Sequence, residues 1–250
     1  MSEAVHPAAP QPTSGTLYGV GVGPGDPELI TLKALHTVRN AHVIAVPVSH
    51  MAAESYALNV VANHLRPEQI VVRLHFPMTC DVYTRRESRF AAAKAILEHL
   101  SLGRDVAFLT EGDPLLHSTF IYILSYLPSD VPIEVIPGVS SITAAAAQAI
   151  LPLVSADQRL AILPAIFEEH NKLRWVLENF DTVVLLKVNR TLDVLIDLIQ
   201  ELGLDEQATL VERATLPNAR IVRPLSTLRG KTVHYLSLVI IHTKRDGDGH

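Results

Sequence analysis

Four short stretches of this chain place glycine, aspartate, serine or basic residues where they could handle an anion or a proton. The first is GPGDP (23–27), inside GVGVGPGDPELITLKA (19–34), where every second residue from Gly19 to Gly25 is glycine. The others are EGDP (111–114), PGVSS (137–141), and LKVNR (186–190) paired with ERAT (212–215). A glycine-rich turn between a strand and a helix offers backbone N–H groups to a pyrophosphate. The spacing refuses the dinucleotide form. The sixth position of G-x-G-x-x-G falls on Pro24, Asp26 or Glu28, and no G-x-x-x-x-G-K-[ST] occurs. Gly-Asp-Pro stands twice, at 25–27 and 112–114. Each copy alone fits a helix start as well as a site, because aspartate caps and proline suits the first turn.

Other chemistries find less support. Twelve histidines are scattered without H-x-x-x-H, and C-x-x-C is absent, so no dedicated metal site is expected. Ser140 and Ser141 lie outside any G-x-S-x-G elbow. The single cysteine, Cys80, has no internal disulfide partner and is expected to be a small buried residue rather than a nucleophile. One cysteine fits a reducing compartment, and MSEAVHPAAPQPTSG has neither a basic n-region nor an apolar h-region, so a cytoplasmic protein is expected.

A chain of 250 residues, 48% hydrophobic and 19% charged, can bury one large or two small cores. A net charge of −5 counts against nucleic acid as the partner. The most apolar stretch, AAAAQAILPLV (144–154), is too short to span a bilayer and contains Gln148 and Pro152, so no membrane association is expected.

The elements that must position these motifs alternate. Strands are expected at 16–22, 43–47, 71–76 and 106–110, with helices starting at Pro27 (Asp26 as cap; Leu29, Leu32, Leu35 and Val38 on one face) and near 53–65, 82–100 and 118–127. The polar LPSDVP (127–132) is read as a boundary near 128–132. Beyond it come a strand at 133–137, a helix at 140–150, strands at 160–165 and 182–188, and a helix at 191–202. Strands at 208–213, 219–223 and 232–242 with short turns imply a mixed sheet. The fold class is therefore α/β: a tail at 1–14, an N-terminal α/β domain at 15–130, a C-terminal α/β domain at 131–243, and a tail at 244–250. In such folds chemistry sits at the carboxyl ends of strands, where all four stretches fall.

Taken together, YGVGVGPGDPELITLKAL, DVAFLTEGDPLLHSTF, EVIPGVSSITAAAA and the following ILPL resemble, in order and spacing, the tetrapyrrole methylase family. The resemblance covers roughly residues 16–243. LHFPMTCD (74–81) and EGDPLLHSTFIYIL (111–124) are most similar to members that methylate carbon 20 of precorrin-2, metal-free or carrying cobalt.

The resemblance implies two α/β domains of the class III S-adenosylmethionine methyltransferase type, a cofactor cleft between them, and a homodimer. It implies S-adenosylmethionine as methyl donor, with S-adenosylhomocysteine left behind. Family cofactor contacts carry over to Pro24, Glu111, Gly112, Asp113, Leu116, Ser140, Ser141, Lys187, Ala214 and Ser237. Many relatives have Gly where this chain has Glu111 and Met where it has Lys187, whose ammonium is expected to point away from the sulfonium. Gly25, Asp26, Met78 and Asp81 fall where the family borders its substrate. Arg85, Arg86 and Arg89 are candidates for the substrate's carboxylates, or else form a solvated helix face. Asp26, Asp113 and His117 are candidate acceptors for the proton that leaves carbon 20, with solvent as the alternative. Methylation at another ring carbon, a ribosomal RNA 2′-O-methyltransferase and a non-enzymatic nucleotide-binding regulator remain the competing expectations.

Overall fold

The computed structural model describes residues 14–51, 55–165 and 170–243. The expected tails, apart from Ser14, lie outside them. Two compact units emerge, Met1–Gly23 with Pro27–Val139, and Pro24–Asp26 with Ser140–His250.

The first unit holds five parallel strands: β1 (Leu17–Gly21), β2 (Val43–Val48), β3 (Ile70–His75), β4 (Val106–Thr110) and β5 (Ile133–Ile136), in the order β3-β2-β4-β1-β5. Its helices are α1 (Leu32–Asn40), α2 (Tyr56–Val61), α3 (Val82–Leu100) and α4 (Phe120–Leu124). The central strands are apolar without interruption because both faces are covered. Ile44, Val46, Ala107 and Leu109 pack with Ala34, Val38, Val60 and Val61 on one side. Val43, Ala45, Val106 and Phe108 meet Ala93, Ile96, Leu100, Phe120 and Ile123 on the other.

Two expectations change here. The helix after the first loop starts later: Pro27–Leu29 makes only a 3-10 turn, and α1 begins at Leu32 with Thr31 as cap, its hydroxyl accepting the Ala34 N–H at 3.1 Å. The buried face is Ala34 and Val38; of the expected 29-32-35-38 face only Val38 is buried, and Leu32 is 75% exposed. The strand expected to open the second domain belongs to the first sheet, since β5 pairs with β1 from Leu17↔Ile133 to Val20↔Ile136. LPSDVP is thus the α4–β5 connection, and the compact units divide after Val139. Polar loops within a domain look like linkers because both face water.

The second unit carries β6 (Leu160–Pro164), β7 (Thr182–Leu186), β8 (Ala208–Glu212), β9 (Arg220–Val222) and β10 (Ser237–His242), ordered β6-β7-β10-β8-β9. β6 and β7 are parallel and the remaining pairs antiparallel, the expected mixed sheet. α5 (Ser141–Ala149) buries Ile142, Ala145 and Ala146 against Val184, Val211, Leu238 and Ile240. The opposite face meets α6 (His170–Asn179) and α7 (Leu192–Glu201) through Leu177, Leu195, Ile196 and Ile199. Among the described residues no helix is long and apolar enough to cross a membrane.

Candidate active site

Strand order decides which motifs meet. β4, β1 and β5 are parallel neighbours, so EGDP, the start of GPGDP and PGV leave the same end of the first sheet side by side. The backbones then approach closely. Val22 N–H donates to Thr110 O at 3.0 Å, and Gly112 N–H to Gly23 O at 2.8 Å, which makes an isolated antiparallel bridge. A Cβ on Gly21 would stand 2.5 Å from Gly112 O and 2.6 Å from Gly138 N, and one on Gly138 only 2.1 Å from Gly112 O. Gly21 and Gly138 are therefore required by their contact with the Gly112 backbone, and Gly112 itself stands at φ 66, where glycine is favoured.

Asp113 ties two of these loops. One carboxylate oxygen accepts the Leu115 N–H at 2.9 Å, and the other accepts the Gly138 N–H at 3.2 Å. Neither Gly-Asp-Pro opens an α-helix, since α4 starts only at Phe120. Leu116 and His117 are exposed on the same loop, His117 at φ 54.

Glu111 stands at the head of that loop. Its side chain is exposed, yet the protein around it on the other sides pushes its carboxyl up to about 7 by desolvation. Among the described residues its carboxylate has no hydrogen-bond or ion-pair partner. Glycine-rich spacing draws attention to the neighbouring residues, and nothing in the sequence marks Glu111 as perturbed.

The candidate substrate residues of this unit gather around the start of α3. Asp81 caps the helix, taking the Thr84 hydroxyl and the Thr84 N–H, and these bonds hold its carboxyl below the usual range. Arg85 and Arg89 are half-buried while Arg86 is exposed, so the first two are not part of a fully solvated face. Arg89 lies 4.0 Å above the Tyr122 ring, a cation–π contact, and the buried Arg85 Nε has no hydrogen-bond partner among the described residues. Met78 and Cys80 are exposed, which corrects the expectation of a buried cysteine. Cys80 lies in the connection between β3 and α3, outside the apolar layers that cover the sheet.

In the second unit, β10 runs antiparallel between β7 and β8, so its first residues lie at the carboxyl ends of both. Ser237 pairs with Glu212 and Leu238 with Leu186, which brings Ser237, Ala214 and Lys187 to one sheet edge. Ala214 and Ser237 are buried and Lys187 is exposed. The chain turns sharply there, with Lys187, Arg213 and Thr215 at φ 60, 52 and 69. Ser140 caps α5 through the Ile142 N–H at 3.2 Å, and Ser141 is the exposed first residue of that helix. Pro24, Gly25 and Asp26 belong to this unit: the Asp26 N–H donates to Thr215 Oγ1 at 3.1 Å, and a Cβ on Gly25, at φ 147, would sit 2.7 Å from Leu216.

A polar knot the sequence gives no sign of holds this edge. Glu212 accepts the His234 N–H at 2.7 Å and pairs with Arg220, while the Ser237 hydroxyl donates to His234 O at 2.6 Å. Burial alone would raise the Glu212 carboxyl, but the His234 N–H and Arg220 outweigh it and hold it low. Burial, with Arg213 nearby, lowers His234.

The profile of the tetrapyrrole (corrin/porphyrin) methylases matches residues 16–229 of the chain. The chain belongs to that family. This methylase is 34% identical over 240 residues to the precorrin-2 C(20)-methyltransferase of Sinorhizobium sp, covering 93% of this chain and 97% of that protein. It is 30% identical over 230 residues to the cobalt-precorrin-2 C(20)-methyltransferase of Salmonella typhimurium, covering 92% and 97% of the two chains. The crystal structure of uroporphyrin-III C-methyl transferase from Thermus thermophilus complexed with S-adenosyl homocysteine superposes with a TM-score of 0.65 at 27% identity, covering 91% of this methylase and 97% of that chain.

Proposed function

We propose that this methylase transfers the methyl group of S-adenosylmethionine to carbon 20 of precorrin-2, giving precorrin-3A on the way to cobalamin. The observation that carries the proposal is the end-to-end relationship to the Sinorhizobium C(20) enzyme, 34% identical with 97% of that protein covered. The cobalt-loaded substrate is the second reading, favoured by the Salmonella relative. The end-to-end likeness to two C(20)-methyltransferases favours both readings over methylation at another ring carbon, the family's ribosomal RNA 2′-O-methyltransferase branch or a non-enzymatic regulator.

The groups present suit a cationic methyl donor. S-adenosylmethionine supplies an electrophilic methyl group on a sulfonium. The first unit offers the backbone of Glu111, Gly112 and Asp113, and the exposed apolar Leu116. The second offers the α5 start at Ser140 and Ser141, the Pro24 backbone, and Ala214 and Ser237 at its sheet edge. Lys187 takes part through N–H and C=O, because its exposed side chain can keep the ammonium in water.

The chain's main contribution is position. Holding the two reactants in line can supply about 7–11 kcal/mol of the barrier, and the glycine contacts and the Asp113 tie make the loops rigid enough to do so. Arg85 and Arg89 take carboxylates of the acetate and propionate arms, while Gly25, Asp26, Met78 and Asp81 border the ring. A two-fold homodimer in the cytoplasm completes the proposal, and light scattering that finds a monomer at micromolar protein contradicts the dimer.

The experiment is a methyl-transfer assay offering metal-free and cobalt-loaded precorrin-2 side by side. Methylation of the metal-free substrate at carbon 20 supports the first reading, and activity on the cobalt form alone replaces it with the second.

A further inference from the structure

Methylation at carbon 20, on the function proposed above, leaves one proton to remove, and the geometry of the first unit narrows what can take it. Asp113 already spends one oxygen on each of two backbone N–H groups. Asp26 donates its backbone N–H to Thr215 Oγ1 at 3.1 Å and is engaged in at least one further interaction. His117 is exposed on an irregular loop at φ 54, without a fixing hydrogen bond among the described residues.

Glu111 differs in each respect. It follows Thr110, the buried last residue of β4, whose hydroxyl is bonded to Val20 O at 3.3 Å. It precedes Gly112, which is locked to Gly23 by the 2.8 Å bond and packed against Gly21 and Gly138. The backbone is thus fixed on both sides of an exposed carboxylate that has no partner among the described residues. β4 is the middle strand of the sheet, so Glu111 emerges at the middle of its carboxyl end, beside the loop after β1.

We propose that Glu111 is the catalytic residue that accepts the carbon-20 proton. Carbon 20 bonds to the methyl group, the carbon–sulfur electron pair stays on sulfur, and neutral S-adenosylhomocysteine is left beside a ring carrying one positive charge. The proton on carbon 20 passes to a Glu111 oxygen, the C–H electron pair rejoins the conjugated ring, and the neutral Glu111 carboxyl later gives its proton to water.

Desolvation supports this role, because a carboxyl at about 7 is matched to accepting a proton near neutral pH. The titratable groups on its own loop are Asp113 and His117. The packed segments 22–23 and 137–139 carry none; the loop after neighbouring β2 carries His50, and Glu54 of that loop lies outside the described residues. None of them contributes to the Glu111 shift, whose cause is desolvation.

The test compares Glu111→Gln with the wild type in three ways: turnover against pH, calorimetry with S-adenosylhomocysteine, and infrared titration of the Glu111 carboxyl, taken as the difference between the two proteins. The expected result is a fall in kcat of about 10²–10⁴-fold in the variant, with affinity for S-adenosylhomocysteine held within about threefold, roughly 0.6 kcal/mol. The wild-type kcat should rise over the pH range in which the infrared band shows Glu111 ionising. Glu111→Asp should recover part of the rate. A variant that keeps its kcat within threefold of wild type, or loses only cofactor affinity, overturns the role. A wild type that methylates no tetrapyrrole overturns the proposed function, whereas an active wild type with an equally active variant overturns the role of Glu111 alone.

Discussion

The Asp113 carboxylate accepts the Gly138 N–H at 3.2 Å while its other oxygen holds Leu115 N–H, so one side chain fastens the loop after β4 to the loop after β5. Two backbone donors depend on it, and a carboxylate bound this way is worth more than a neutral hydrogen bond. Asp113→Ala is expected to weaken S-adenosylhomocysteine binding tenfold or more, about 1.4 kcal/mol. Asp26→Ala keeps the backbone bond from Asp26 to Thr215, and is expected to spare cofactor affinity and reduce turnover or tetrapyrrole binding. Calorimetry and methyl transfer on both variants separate the two roles. Equal small effects on every binding constant, with lowered melting temperatures, would leave both aspartates purely structural.

Gly138→Ala puts a methyl group 2.1 Å from Gly112 O, a backbone atom that cannot swing aside. Overpacking of this kind costs about 1–3 kcal/mol, occasionally more. Gly203→Ala is the comparison: nothing lies within 4 Å and only its φ of 69 resists, a strain of about 1–2 kcal/mol. Urea unfolding should find that both substitutions destabilise, but that only Gly138→Ala also abolishes cofactor binding in the folded protein. Unchanged binding in that variant would contradict the close packing of the three loops.

Much of this was legible in the sequence, for physical reasons that also explain the misses. Strands buried on both faces, such as VIAVP and VAFLT, announce themselves by continuous apolar runs, and EGDP and PGV of PGVSS lie on loops that the strand order brings side by side. The start of α1 was missed because Asp26-Pro27 and Thr31 both look like caps, and only packing decides that Ala34 and Val38 face inward. β5 was assigned to the wrong sheet because pairing with β1 is long-range and leaves no local trace. Glu111 and the Glu212–His234–Arg220 knot depend on burial and on partners distant in sequence, which spacing does not encode.

Glu111 also makes stability depend on pH. Its folded carboxyl is raised from 4.5 to about 7, so its contribution is fully present below about pH 4.5 and is lost as pH rises through about 7. Glu111→Gln removes this dependence. The melting temperature of the variant relative to wild type should climb across that window, and a constant difference would mean that Glu111 is not desolvated. Glu212 runs the other way: held low, it stabilises above the ordinary glutamate range and loses that contribution as pH falls through its folded value. Glu212→Gln should therefore cost most stability near neutral pH and least in acid.

Arg89 is braced over Tyr122 at 4.0 Å, and Arg85 holds a buried Nε without a partner among the described residues. If these guanidinium groups receive substrate carboxylates, alanine at either position should raise the KM for the tetrapyrrole severalfold and leave S-adenosylhomocysteine affinity unchanged. Steady-state kinetics alongside calorimetry checks this, and an unchanged tetrapyrrole KM in both variants returns the pair to packing.

The most direct measurement is methyl transfer itself: the purified protein is given S-adenosylmethionine with a 13C-labelled methyl group together with precorrin-2, and the product is read by NMR. The account predicts one labelled methyl group on carbon 20 for each S-adenosylhomocysteine formed. Label at a different ring carbon, or S-adenosylmethionine left unconsumed beside both metal-free and cobalt-loaded precorrin-2, would contradict it.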